Sequence, residues 1–329
     1  MVMRDYIKKF PKHIEHAIEI YESIDLCHGS SDVENIVISG QGGSAIGGVI
    51  IKNLLRDTLS VPIIVNQDYS IPSFVNNKTL FIASSYSGNT EETLSALKAA
   101  EMKNSIIFSI TSGGDLLDIS KEKGYNHIII PSGAPPRAML CYSIVQLLFV
   151  ISELFGLSKD NLKHKLLDVQ KYLIDYQSQI ILEADVLVDQ ISNKMPFIYA
   201  FSNFEGVALR FKQQLNENSK RHACYNLIPE MNHNEIVPWI NKHSCVFPVF
   251  LNGKTSSRNL KRMRFSIERI SKNVDSFIEL KKDELDYFTQ YFYFIHLLDW
   301  VSLILAEKEK INPNDISLID DLKRQLKNT

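Results

Sequence analysis

Apolar and polar positions follow two different periods along this chain. A helical period covers residues 4–25 and predicts an amphipathic helix. Short apolar runs then alternate with helical stretches. Strands are predicted over 36–39, 61–65, 80–84, 105–110 and 127–130. Helices are predicted from about 45 to 56, over 91–101 and near 116–123. Such alternation means a parallel sheet with helices on both faces. Ligands of such sheets sit beyond the carboxyl ends of the strands.

A helix is predicted around 138–154, then a break at Gly156 and a long helical stretch over about 159–193. That stretch is read as a linker. Alternation resumes with strands at 197–201, 223–226, 245–251 and 274–280, and a long helix at 284–307 follows. Element order alone suggests that the second half repeats the first; no sequence repeat supports it. The predicted organisation is a domain over 1–155, a helical linker over 156–193 and a second domain over 194–329. The fold class is α/β.

Two loops fall where a parallel sheet binds its ligands. After the third strand comes Ser85-Tyr86-Ser87-Gly88-Asn89-Thr90, followed by a helix. Ser85, Ser87 and Thr90 supply hydroxyls, and Gly88 is read as letting backbone approach a ligand. The helix start adds free N–H groups and a positive dipole end, which suits a phosphate dianion. No lysine is present, so this is not a nucleotide-hydrolysing loop. Asn89 with Glu92 also fits a capping box, which needs no ligand.

After the first strand comes Gly40-Gln41-Gly42-Gly43-Ser44-Ala45. It satisfies a dinucleotide fingerprint, but the acidic residue that reading needs is only loosely supplied by Asp68, past the predicted strand end. Alternatively the glycines serve tight packing of strand on helix. A sugar-phosphate site shared by both loops explains more, with Ser44 and the Gly42–Gly43 amides on the same ligand as Ser85, Ser87 and Thr90.

Composition narrows the partners. A formal net charge of −2 over 329 residues gives no reason to expect nucleic acid or an anionic membrane. The basic run Arg258, Lys261, Arg262, Arg264 and Arg269 is spaced like a solvated helix face. Four scattered cysteines (Cys27, Cys141, Cys224, Cys245) argue against a disulfide framework or a zinc site. The first ten residues lack an apolar h-region, so no signal peptide is expected. Gln146 and Glu153 interrupt the apolar stretch at 143–155, and His296 and Asp299 the one at 291–306. Neither is expected to reach the roughly 20 apolar residues of a membrane span. A cytoplasmic location is the expectation.

Acid, base and cation candidates lie elsewhere. Pro135 and Pro136 stiffen the loop before Arg137, and a rigidly held guanidinium suits an anionic intermediate. A surface salt bridge is the plainer reading. Residues 205–235 form the densest polar patch. Glu217 closes a predicted helix among amides, and His233 sits between two asparagines in a loop. Taken singly, each reads as a solvated residue, as does Lys323 near a helix C-terminus.

Taken together these motifs resemble a known family. They are Gly42-Gly43-Ser44-Ala45-Ile46-Gly47-Gly48, Ser85–Thr93, Ala134-Pro135-Pro136-Arg137-Ala138, Arg210–Lys220 and Pro229–Glu235. In order and company the chain is similar to the bifunctional phosphoglucose/phosphomannose isomerases, built from two sugar isomerase (SIS) domains. The resemblance implies two three-layer αβα domains and isomerisation of glucose 6-phosphate, and of mannose 6-phosphate, to fructose 6-phosphate through a cis-enediolate. It implies substrate contacts from Gly42, Gly43, Ser44, Ser85, Ser87 and Thr90, and Arg137 facing the enediolate. Glu217 matches the general base, His233 the ring-opening residue and Lys323 a C-terminal lysine of the site. The family's usual Asp-Pro step is here Asn312-Pro313, in a region tied to the choice of epimer. The resemblance further implies no metal or redox cofactor, and a homodimer in which the histidine comes from the neighbouring subunit. A sugar-phosphate sensor without catalysis is the alternative.

Overall fold

The computed structural model describes residues 2–24, 32–191 and 193–326; Cys27 lies outside them. Two separate parallel sheets carry the architecture. The first is built from β1 (Asn35–Ser39), β2 (Ile63–Asn66), β3 (Thr79–Ser85), β4 (Ile106–Thr111) and β5 (Asn126–Ile129), in the order β2-β1-β3-β4-β5. The second is built from β6 (Met195–Phe201), β7 (Cys224–Ile228), β8 (Val246–Leu251) and β9 (Ile278–Leu280), in the order β7-β6-β8-β9. The first four strands of both sheets are therefore wound alike. β3 is buried at all seven positions, as a central strand covered on both faces must be.

Helices α1 (Met3–Glu22), α2 (Gly43–Leu54), α3 (Glu91–Met102), α4 (Gly114–Lys123) and α5 (Leu140–Leu154) belong to the first half. The helical stretch read as one piece is two helices, α6 (Lys159–Asp175) and α7 (Gln177–Ile191). Both helices pack into the fold. Their apolar sides, including Leu166, Val169, Leu173, Leu187 and Val188, join the main core, where α6 packs on α1 and α10 and α7 packs on α10. The second half adds α8 (Glu205–Ser219), α9 (Ser257–Ile270), α10 (Tyr287–Lys308) and α11 (Ser317–Leu326).

The two most apolar helical stretches are longer than their sequence pattern suggests. Residues 136–154 and 287–308 each pass the length and composition test for a membrane span, but 89% and 94% of their apolar windows lie inside the protein. They are core helices. The Asp286 carboxylate caps α10, accepting from the Phe288 and Thr289 amides at 2.9 and 3.2 Å.

α2, α8 and α10 form the seam between the halves. Gly206 makes it close: a Cβ there would stand 2.8 Å from Ile50 and 2.5 Å from the Tyr291 hydroxyl. This contact sets how α8 lies across the first half and where its last turn arrives.

Candidate active site at the seam between the halves

The carboxyl edge of the first sheet carries both predicted loops. In the hydroxyl loop the Ser85 and Thr90 hydroxyls are hydrogen-bonded at 2.8 Å, and Ser85 Oγ accepts from the Gly88 amide at 3.1 Å. The Ser87 hydroxyl is exposed and accepts from the Asn89 amide at 3.3 Å. Thr90 is the N-cap residue of α3 and makes no side-chain cap, so its first amides have no cap there.

Two expectations about this loop change. Asn89 caps nothing on α3; its Oδ1 accepts from the Asp115 amide at 2.9 Å and ties the loop to α4. Gly88, with φ of 72°, is required by protein rather than by ligand, since a Cβ there would lie 1.8 Å from the Gly113 carbonyl oxygen. Loop and α4 start are thus packed back to back.

The glycine loop divides its labour. A Cβ on Gly40 would meet the Ser84 carbonyl at 2.7 Å, and one on Gly48 would meet Ile38 and Val65 at 3.1 Å, so these two serve strand–helix packing. Gly42 is exposed and left-handed at φ 50°. Gly43 faces the backbone of Pro136 and Arg137 at 3.5–3.6 Å. α2 begins at Gly43, two residues earlier than predicted, so Ser44 is in its first turn and buried.

Arg137 lies in a 3-10 turn and is 4% exposed. Every side-chain partner it has comes from the second half of the chain. Its Nε donates to Asn218 Oδ1 at 2.8 Å, its Nη1 to Glu217 Oε2 at 3.3 Å and its Nη2 to the Pro313 carbonyl. Its carbonyl accepts from Arg210 Nη2 at 3.1 Å. Burial lowers the Arg137 pKa, the Glu217 carboxylate counters this, and nearby Arg210 adds to it. A guanidinium that begins near 12.5 remains a cation throughout.

Behind it lies a buried polar frame. Arg210 clasps Asp299 with two bonds, at 2.9 and 2.6 Å, and Gln214 Nε2 donates to the same carboxylate at 3.0 Å. Burial pushes the Asp299 carboxyl up; Arg210 and Gln214 oppose this. Asn218 Nδ2 donates to Ser302 Oγ at 2.9 Å, and Ser302 Oγ donates to the Asp299 carbonyl at 2.8 Å. Lys220, left-handed at φ 53°, donates from Nζ to the carbonyls of Glu217 and Asn312 at 2.6 and 3.0 Å. The segment after α10 is thereby drawn over the pair.

Glu217 keeps about a third of its side chain exposed beside the fully enclosed Arg137. A carboxylate within reach of solvent, beside a fixed cation, can take a proton from a bound carbon acid while the cation meets the charge that develops. Among the described residues, no three His, Cys, Asp or Glu side chains are grouped to hold a metal ion.

His233 and Lys323 are not brought to this cluster. Glu217 ends α8 before β7, whereas His233 lies in the 3-10 turn after β7, and five extended residues span about 17 Å. The turn is well anchored: Glu235 accepts from the Tyr199 hydroxyl at 2.7 Å and from Asn226 at 2.6 Å. His233 itself is exposed. Lys323 is exposed on α11, of which no residue is buried.

The position equivalent to the glycine loop is filled in the second sheet. Where the glycine loop follows β1, Ser202–Phe204 follows β6, and Phe204 is fully buried. Its ring stacks on Tyr291 at 5.3 Å and blocks the space beside Gly253, where a Cβ would stand 2.2 Å away.

Asn218, Arg210, Asp299, Ser302 and the Pro313 carbonyl escaped sequence reasoning. One signal was present: a lone aspartate in the apolar α10 must find a buried cation.

Two parallel αβα units, one with a glycine loop and a hydroxyl loop on its carboxyl edge, define a sugar-isomerase-domain protein. The SIS domain model matches residues 31–156, and the model for the bacterial phospho-glucose isomerase C-terminal SIS domain matches residues 182–326. The C-terminal domain of glucosamine-fructose-6-phosphate aminotransferase from Francisella tularensis shares the fold, with a TM-score of 0.74 at 18% identity over 94% of this chain and 96% of that one. Curated bifunctional phosphoglucose/phosphomannose isomerases are nearer in sequence. That of Caldicellulosiruptor bescii is 37% identical over 98% of both chains, and that of Thermoplasma volcanium 36% identical over 89% of this chain and 91% of its own. The chain belongs to the bifunctional phosphoglucose/phosphomannose isomerase family.

Proposed function

We propose that this protein interconverts glucose 6-phosphate and mannose 6-phosphate with fructose 6-phosphate. The observation that carries this reading is the Arg137–Glu217 pair, with 3.3 Å between charged atoms, at the edge that holds the glycine and hydroxyl loops. Ser87, Thr90 and the α3 amides take the phosphate, with Gly42, Gly43 and Ser44 along the sugar; Ser85 braces Thr90. Glu217 removes the C2 proton of the open-chain aldose and returns it to C1. Arg137 stabilises the enediolate oxygen. Both C2 epimers give the same cis-enediolate, so one base serves both substrates.

Ring opening falls to His233 of a second copy. The positions of Glu217 before β7 and His233 after it support this reading. The working unit is then a homodimer, with Lys323 on α11 reaching the site only in that assembly. Each domain, 1–155 and 194–329, contributes one side of the cleft, joined by 156–193. A cytoplasmic place of action suits a hexose 6-phosphate substrate.

The test is a coupled assay of the full-length protein on glucose 6-phosphate and mannose 6-phosphate in parallel, with and without EDTA. Turnover of both in either condition is expected. Binding of fructose 6-phosphate with no turnover of either aldose would overturn the reading.

A further inference from the structure

Arg137 is aimed by a neutral side chain, and the neutrality has a consequence. Nε of an arginine can only donate, so the group 2.8 Å from it must be the Asn218 oxygen. The amide's other end agrees. Ser302 spends its hydroxyl proton on the Asp299 carbonyl, which leaves a lone pair to accept from Asn218 Nδ2. Asn218 and Ser302 are both fully buried, so neither bond is shared with solvent. The amide is locked in one orientation between α10 and the guanidinium.

A carboxylate fits the same space and would accept from Nε more strongly. It would also sit as a permanent counter-ion against Arg137. The other nearby acid differs: Glu217 is partly exposed on the Nη1 side, where a substrate can intervene. We propose that Asn218 is a positioning residue of the isomerase. It holds Arg137 toward the substrate through Nε while leaving its positive charge uncancelled for the anionic intermediate. This deepens the isomerase reading and rests on it.

The isosteric Asn218→Asp substitution tests it, since it keeps the anchor and adds the charge. In the full-length protein kcat is expected to fall about a hundredfold, the lower end of the range for losing one oxyanion donor. KM is expected to change less than about threefold, because phosphate contacts are untouched. A merely structural role predicts no dependence on Arg137, so the second arm is a double-mutant cycle with Arg137→Ala. In that background Asn218→Asp should cost less than about twofold. Wild-type kcat in Asn218→Asp, or the same loss in both backgrounds, overturns the proposal. If Asn218→Asp does not accumulate as folded protein, Asn218→Ala replaces it. That variant should lose at least about tenfold in kcat at little change in KM, and wild-type kcat there overturns the proposal equally. A wild-type protein that turns over no sugar phosphate would instead sink the isomerase reading.

Discussion

At the carboxyl edge of the first sheet, small residues and hydroxyls leave backbone amides open: Gly42, Gly43, Ser87 and Thr90. At the matching edge of the second sheet, wound in the same strand order, Phe204 fills the space against Gly253 and Tyr291. The second half fills the position after β6 and sends the last turn of α8 to the first half's Arg137. The winding is shared, so side-chain volume at one loop makes the difference between the two positions.

Breaking this comparison starts with the base. Glu217→Gln should lower kcat on glucose 6-phosphate by about 100- to 10,000-fold in the coupled assay, the span of general base catalysis. A near-wild-type rate would move the base to another residue. The opposed positions of Glu217 and His233 give the next test. Separately inactive Glu217→Gln and His233→Ala proteins, mixed and allowed to exchange subunits, should recover roughly a quarter of wild-type activity, because half of the dimers are mixed and each has one intact site. No recovery after verified exchange would mean that each site is built within one chain.

The two edges can be compared directly with matched serines. Ser87→Ala should raise KM about tenfold, the loss of one hydrogen bond to a charged group. Ser256 caps α9 at the second edge, accepting from the Asn259 amide at 3.4 Å. Ser256→Ala should leave KM unchanged and cost about 1 kcal/mol of stability, read by denaturant unfolding. Equal KM effects would show that the two edges do not differ in this way.

A last effect lies away from both edges. Burial holds His296 near pKa 3 and His13 near 4, against 6.5 for a free imidazole. Their unfolded forms take up protons that the folded forms refuse. Their contribution is complete above about pH 6.5 and is lost as pH falls toward 4, by up to about 1.4 kcal/mol per pH unit for each histidine. Stability measured from pH 7 to 4.5 should fall less steeply in His296→Phe than in wild type.

Much of the scaffold is legible in the sequence because β3 and its neighbours are short apolar runs separated by amphipathic helices. The positions of the glycine and hydroxyl loops and of Arg137 at the carboxyl edge are legible too, since turn residues and prolines act locally. Gly88 and Asn89 are not: what they touch, Gly113 and Asp115, lies some 25 residues on. Asn218 was hidden for a stronger reason. Within its motif it is one polar residue among several at a helix end, and only the packing of α8 on α10 turns it inward to Ser302 and Arg137. The break of the stretch at 159–193 into α6 and α7 was not legible, nor was its packing on α1 and α10, which only folding brings beside it.

Lys220 shows what such a site asks of a protein engineer. Its backbone is left-handed, where glycine would relax about 1 kcal/mol of strain. Stabilisation schemes that replace strained residues would choose that glycine, and the folded chain would gain. The same change would remove the ammonium that clasps the Asn312 carbonyl and would free the segment lying against Arg137. A screen scored on melting temperature alone would therefore favour a variant with a slackened site. The chain carries the less comfortable residue, and a thermostability campaign on this enzyme should leave position 220 out of its library.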